Sequence, residues 1–162
     1  MATVHFTEYD VRQLLEARKF SFRVKYDSTQ NKNSDSEKRI DYDIRRRDMP
    51  AKDLGLRLCA RVAPSAPGVG VKSTPGVALQ WKGRIIRKVD HATRHDSIRN
   101  GVSVGHIEGW HEHIWTDQDE GRYIVAADPP IRNASLKGLI QWAAKKWNIE
   151  LEEIAEEPLF RS

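Results

Sequence analysis

Only one cysteine, Cys59, is present, which excludes an internal disulfide and a cysteine-rich zinc site. No apolar run approaches the roughly 18 to 20 residues needed to cross a bilayer, and the N-terminal stretch lacks a signal peptide's apolar core. The expectation is a cytoplasmic protein without membrane contacts. No Gly-rich phosphate loop, His-Glu-x-x-His helix or internal repeat is visible. His106-Ile-Glu108 matches the opening of a zinc deaminase signature, but its Pro-Cys-x-x-Cys half cannot be built from one cysteine.

What is there suits one domain with a real core: 162 residues, 39% apolar and 31% charged, with five tryptophans. The formal charge is +4, from 27 basic and 23 acidic residues. Residues 150–162 hold five of the acids and one of the bases, so the rest carries 26 against 18, or +8. Such a body suits an anionic partner, RNA being the expected one, and 150–162 reads as an acidic tail.

Patterning predicts the elements. Thr7 and Asp10 form a candidate capping box ahead of a helix with Val11, Leu14 and Leu15. Strands follow at Phe20–Tyr26, Ile40–Ile44 and Leu54–Val62, then Val77–Trp81 and Ile85–Asp90 as a hairpin about Lys82-Gly83-Arg84. Residues 63–76, rich in Pro and Gly, read as a loop, and so do the polar residues His91–Gly109. A strand through His111 turns at 117–121 and pairs with Arg122–Ala127. Asn133 or Ser135 is placed to cap a closing helix whose stripe is Leu136, Leu139, Ile140, Ala143 and Trp147, and the glutamate-rich end reads as a short helical extension. The predicted architecture is α+β: a single domain, 1–162, with a mainly antiparallel sheet of about six or seven strands and an N-terminal and a C-terminal helix packed on it.

Five of the six histidines lie between His91 and His113. Imidazole exchanges protons near neutrality and is the commonest metal ligand, so the cluster is the candidate site. As a strand, Trp110-His-Glu-His-Ile-Trp115 puts His111, His113 and Trp115 on one face, the two imidazoles about 7 Å apart. RNA carries its own nucleophile, and a base, an acid and a cation suffice to cleave it. His95, His111 and His113 can supply proton transfer, with Asp90 orienting a histidine. Arg87, Arg94 and Arg99 are candidate phosphate ligands, and Arg45-Arg-Arg47 a candidate phosphate-facing patch. This reading needs no metal or cofactor. The same histidines also allow a divalent ion, since three imidazoles and a water make a workable set. Gly105, His111 and His113 have the spacing that opens the cupin metal motif, although its later glutamate is absent.

The layout Ile85-Ile-Arg-Lys-Val-Asp90-His-Ala-x-x-His95, then Asn100-Gly, then His111-x-His113-Ile-Trp and a closing helix, resembles a group of small bacterial and phage proteins. The TumE-like toxins of toxin/antitoxin pairs are distantly similar to it. The likeness covers about residues 85–145, with Asp90, His95, His111 and His113 as the matching polar residues. Val102-Ser stands where the pattern has Pro-Asp, and Gly105–Trp110 is an insertion. The resemblance implies a toxin-like protein acting on RNA and restrained by an antitoxin. The leading expectation is thus a metal-independent endoribonuclease. The alternatives are a non-catalytic phage or mobile-element protein that binds a host protein or nucleic acid, and a metal-dependent hydrolase with a His-x-His site.

Overall fold

Each run of alternating apolar and polar residues becomes a strand, and most strands join edge to edge in chain order. The computed structural model describes residues 6–29, 37–47, 55–62, 75–127 and 136–152. Helix α1 is Glu8–Glu16, followed by β1 Lys19–Thr29, β2 Glu37–Arg46, β3 Arg57–Val62, β4 Pro75–Trp81, β5 Arg84–Arg99, β6 Val102–Ile114 and β7 Tyr123–Ala126. Helix α2, Leu136–Lys146, then leads to β8, Ile149–Glu150. The sheet order is β7-β6-β5-β4-β3-β2-β1-β8, antiparallel throughout except for β8 beside β1.

The α+β class stands, but the described residues form eight strands rather than six or seven. Residues 91–109, expected as a loop, are the outer half of a long β5–β6 hairpin. Its tip, Asn100-Gly101, has φ of 54° and 76°, the pair of positive angles that a type I′ turn needs. Lys82-Gly83 makes the β4–β5 turn in the same way, with φ of 52° and 80°. The expected helical extension after α2 is instead β8, because Asn148 at φ 56° ends the helix and directs the chain alongside β1. Of the 63–76 segment only Pro75 and Gly76 are described, as the start of β4; the caps at Asn133 and Ser135 and the tail beyond Glu152 lie outside the described residues.

Both helices cover one face of the sheet. Thr7 and Asp10 close the capping box of α1, and Val11 and Leu14 are buried. Lys19 buries its ammonium at the C-terminal end of α1, donating to the carbonyls of Leu14 and Ala17 at 2.7 Å each, where the helix dipole favours a cation. Leu139, Ile140 and Ala143 of α2, with Trp147 just after it, share one core with Tyr42, Leu58, Val77, Leu79 and Val89. Trp115 departs from the expected face: β6 ends at Ile114, alternation stops, and the indole turns into this core against Phe6, ring centroids 4.8 Å apart. Glu112, buried beneath α2, accepts from Lys146 Nζ at 2.7 Å and Trp147 Nε1 at 3.0 Å. Among the described residues no helix is long and apolar enough to cross a membrane.

The outer half of the hairpin curls back toward β7. Ser97 Oγ donates to the Ile124 carbonyl at 2.8 Å and accepts from its amide at 3.1 Å. At the tip, the Asp119 carboxylate accepts from the amides of Asn100 at 2.9 Å and Gly101 at 3.1 Å. This hairpin arm positions the site.

Candidate metal centre

Cross-strand pairing decides which side chains meet. Asp90 pairs with His111 and Lys88 with His113, so all four share the sheet face away from the helices. His95, five residues after Asp90, would face the other way on a regular strand. An extra residue in β5 between the Ala92–Gly109 and His95–Ile107 pairs flips it back over His111 and His113.

The three rings form a near-equilateral triangle. Centroids are 4.9 Å apart for His111–His113 and 5.1 Å for His95 with each of them. Every Nδ1 lies on a main-chain carbonyl: His111 on Gly109 at 3.1 Å, His113 on Gly121 at 2.9 Å and His95 on Asp96 at 3.0 Å. With each Nδ1 donating to its carbonyl, Nε2 is left as a lone pair, as in metal-binding histidines whose other ring nitrogen is held by the backbone. The ligand atoms of the three lie within 4.8 Å of one another. His111 Nε2 and His113 Nε2 are 3.1 Å apart, close to the roughly 3.3 Å that two nitrogens show on one tetrahedral ion at 2.0–2.1 Å. Asp90 Oδ1, a buried oxygen, lies 2.6 Å from His111 Nε2 and 3.3 Å from His113 Nε2.

Lone pairs and a carboxylate oxygen this close require a cation between them. A proton can serve. Burial works against the His111 imidazolium, but the Asp90 carboxylate and the Gly109 carbonyl outweigh it and raise the His111 pKa. Burial likewise works against the Asp90 carboxylate, while His111, His113 and the Lys88 ammonium hold its pKa well below the usual range. A divalent first-row ion satisfies the same atoms with more charge, and a set of imidazoles with one carboxylate suits zinc, iron, manganese or nickel. His111 is fully buried and the His113 side chain is 15% exposed, whereas Asp90 is 29% exposed, so the centre opens on the Asp90 side.

Of the residues singled out in the sequence, the fold brings together Asp90, His95, His111 and His113. Arg87 lies on the helix-covered face, 3.8 Å from Glu112, where burial lowers its pKa against the pull of Glu112 and Glu8. Arg94 is exposed, 3.9 Å from Asp96, and Arg99 lies over the Tyr123 ring at 4.8 Å. Arg45 lies over Phe22 at 4.0 Å and Arg47 pairs with Glu150, both near the far edge of the sheet; Arg46, beside Arg45 on β2, is paired in register with Lys19. His91 meets Trp110 edge-on at 5.4 Å and His106 is exposed. Sequence reasoning missed Lys88, 3.2 Å from Asp90, although its i, i+2 spacing to Asp90 was the available signal. It also missed Asp119, whose role arises only through the turn it closes.

No family model, curated protein or solved structure matches this chain.

Proposed function

We propose that the chain is a metal-dependent hydrolase whose ion is held by His95, His111 and His113, with Asp90 beside it. The observation that supports this reading is the triangle of imidazoles, each with Nδ1 on a backbone carbonyl and with ligand atoms within 4.8 Å of one another, next to a buried carboxylate oxygen 2.6 Å from His111 Nε2. A bound ion would supply Lewis acidity and make a water acidic enough to react near neutral pH. The chain does the rest. The β6 backbone fixes His111 and His113, and the arm brings His95. Asp90, on the open side, can orient a water, whose oxygen bonds to the substrate as the ester bond breaks and whose proton passes to the leaving ester oxygen. Lys88 stands beside Asp90 to meet negative charge on the substrate.

Metal analysis of freshly purified protein tests the reading. About one first-row ion per chain is expected, lost in His111→Ala and His113→Ala. Substoichiometric metal that added ions do not raise would end it. The metal-free alternative, RNA cleavage by the same imidazoles, is favoured by the contacts of Asp90 with both His111 and Lys88, which place a histidine, its orienting carboxylate and a cation together. It predicts that chelator-treated protein still cuts RNA. In either case the toxin-like role implied by the resemblance predicts growth arrest on expression, relieved in His111→Ala.

A further inference from the structure

We propose that the helix-free face of the sheet is a track for single-stranded nucleic acid, leading to the His95–His111–His113 centre. The claim that this strand is the substrate rests on the hydrolase reading; the claim that the face binds it does not.

Because α1 and α2 both pack on the other face, no described element lies over this side of β1 to β4. Register lays out one lane. Arg39 pairs with Arg61, Arg61 with Gly76, and Asp90 with His111. Gly76 joins the two halves, since a Cβ built there would lie 3.7 Å from Asp90 Cβ. A residue without a side chain thus stands between Arg61 and the open side of the centre, leaving about 10 Å of free lane at two strand spacings. The neighbouring row has small side chains at Cys59 and Ala78 and then Lys88. The two rows enclose a groove of about 60 Å³ lined by Arg39, Arg61 and Lys88, of which Arg39 pairs with Asp41 and Lys88 with Asp90.

Beyond the groove the cationic character continues. Arg23 and Arg57 share a single carboxylate, Asp43, at 2.6 and 3.5 Å, which leaves one positive charge over. Phe22 is 37% exposed with the Arg45 guanidinium stacked on it. From β6 to β1 this surface runs about 24 Å, five strand spacings. A row of cations that ends at an exposed aromatic ring fits a chain of phosphates carrying flat bases. An acidic polypeptide would use the cations but not the ring, and a duplex is too wide for a lane floored by Gly76, Ala78 and Cys59.

Fluorescence anisotropy on the full chain tests this, using fluorescein-labelled 15-nucleotide oligouridylate, the matching oligodeoxythymidylate, a duplex of equal length and polyglutamate. Both single strands should bind, with a log–log salt slope of about −2 to −3 for three to four phosphate contacts. Arg61→Gln and Arg57→Gln should each make the slope shallower by about 0.7, with metal content unchanged. Gly76→Leu, which fills the lane, should weaken binding, while Gly76→Ala should not. Binding of the uridylate alone keeps the track and assigns it to RNA. Equal binding of duplex or polyglutamate, no binding at 50 mM salt, or a slope indifferent to the Arg61→Gln/Arg57→Gln pair overturns the proposal. A chain that binds the single strands but no metal keeps the track and loses the hydrolase; one that holds metal without binding them loses the track alone.

Discussion

The strongest consequence of the histidine triangle is a metal-dependent melting temperature whose loss should follow the way each ligand is held. An ion that binds only the folded chain stabilises it by RT ln(1 + [L]/Kd), about 2.7 kcal/mol at a hundredfold excess over Kd. For a chain of this size each kcal/mol moves the midpoint by about 2–4 °C, so the expected rise is about 5–11 °C. His111 and His113 come from paired positions on β6, and replacing either by alanine removes half of the 3.1 Å nitrogen pair. Both variants should lose the rise. His95 sits on the arm, so His95→Ala should keep part of it. Asp119→Ala, which leaves all three imidazoles but frees the Asn100 and Gly101 amides, should weaken metal binding least. Differential scanning fluorimetry of chelator-treated protein, titrated separately with zinc, manganese, nickel and cobalt, measures the rise against each variant's own metal-free midpoint. A parent that no ion shifts, or a His111→Ala variant that shifts like the parent, refutes the reasoning.

Other consequences are independent of metal. Glu112→Ala strands Arg87 and the Trp147 indole beneath α2 and should cost about 3–5 kcal/mol in urea unfolding; a loss under 1 kcal/mol would show that the buried group is not holding α2. Burial pushes the Cys59 thiol up to about 12, so it stays protonated through the neutral range, and iodoacetamide at pH 8 should label it far more slowly in native than in urea-unfolded protein. Stability should correspondingly fall once pH exceeds the ordinary thiol value of about 8.5, where only the unfolded chain ionises. Although burial alone would raise the Asp119 carboxyl, the Asn100 and Gly101 amides and Thr116 hold it below its usual range. Its contribution is therefore full above the unfolded value of about 3.9 and lost as pH falls below it. Hydrogen exchange at Asn100 and Gly101, corrected for intrinsic rate, should speed up near pH 3, and unchanged protection there would count against the pin.

Much of the architecture was legible because burial follows alternation. The stripe of α2, the capping box of Thr7 and Asp10, and the strand positions Ile40, Tyr42, Leu58 and Leu79 all appear where their spacing put them. The arm was not read, although Asn-Gly is among the strongest short hairpin signals. Residues 91–109 are too polar to look like a strand, because their pairing is sustained by the partner strand and by β7 rather than by burial of an apolar face. Val102 and Val104 are indeed exposed at its end. The second element to escape, β8, is two residues long and exists only because β1 leaves an edge for Lys19 and Phe20 to pair.

The site was legible in membership but not in arrangement, and strand parity explains both. Counting by twos from Asp90 correctly finds Lys88 as a face-mate and puts Arg87 on the opposite side, yet an arginine looks like a phosphate ligand and draws attention first. The same counting fails for His95, whose odd offset from Asp90 predicts opposite faces. Only the extra residue between Ala92 and His95 reconciles them, and a bulge leaves little trace in a single sequence. Bulges persist beside functional sites because they re-aim a side chain while pairing on either side continues. Here the displaced side chain completes the triangle, so the irregularity in β5 and the chemistry of the centre have one cause.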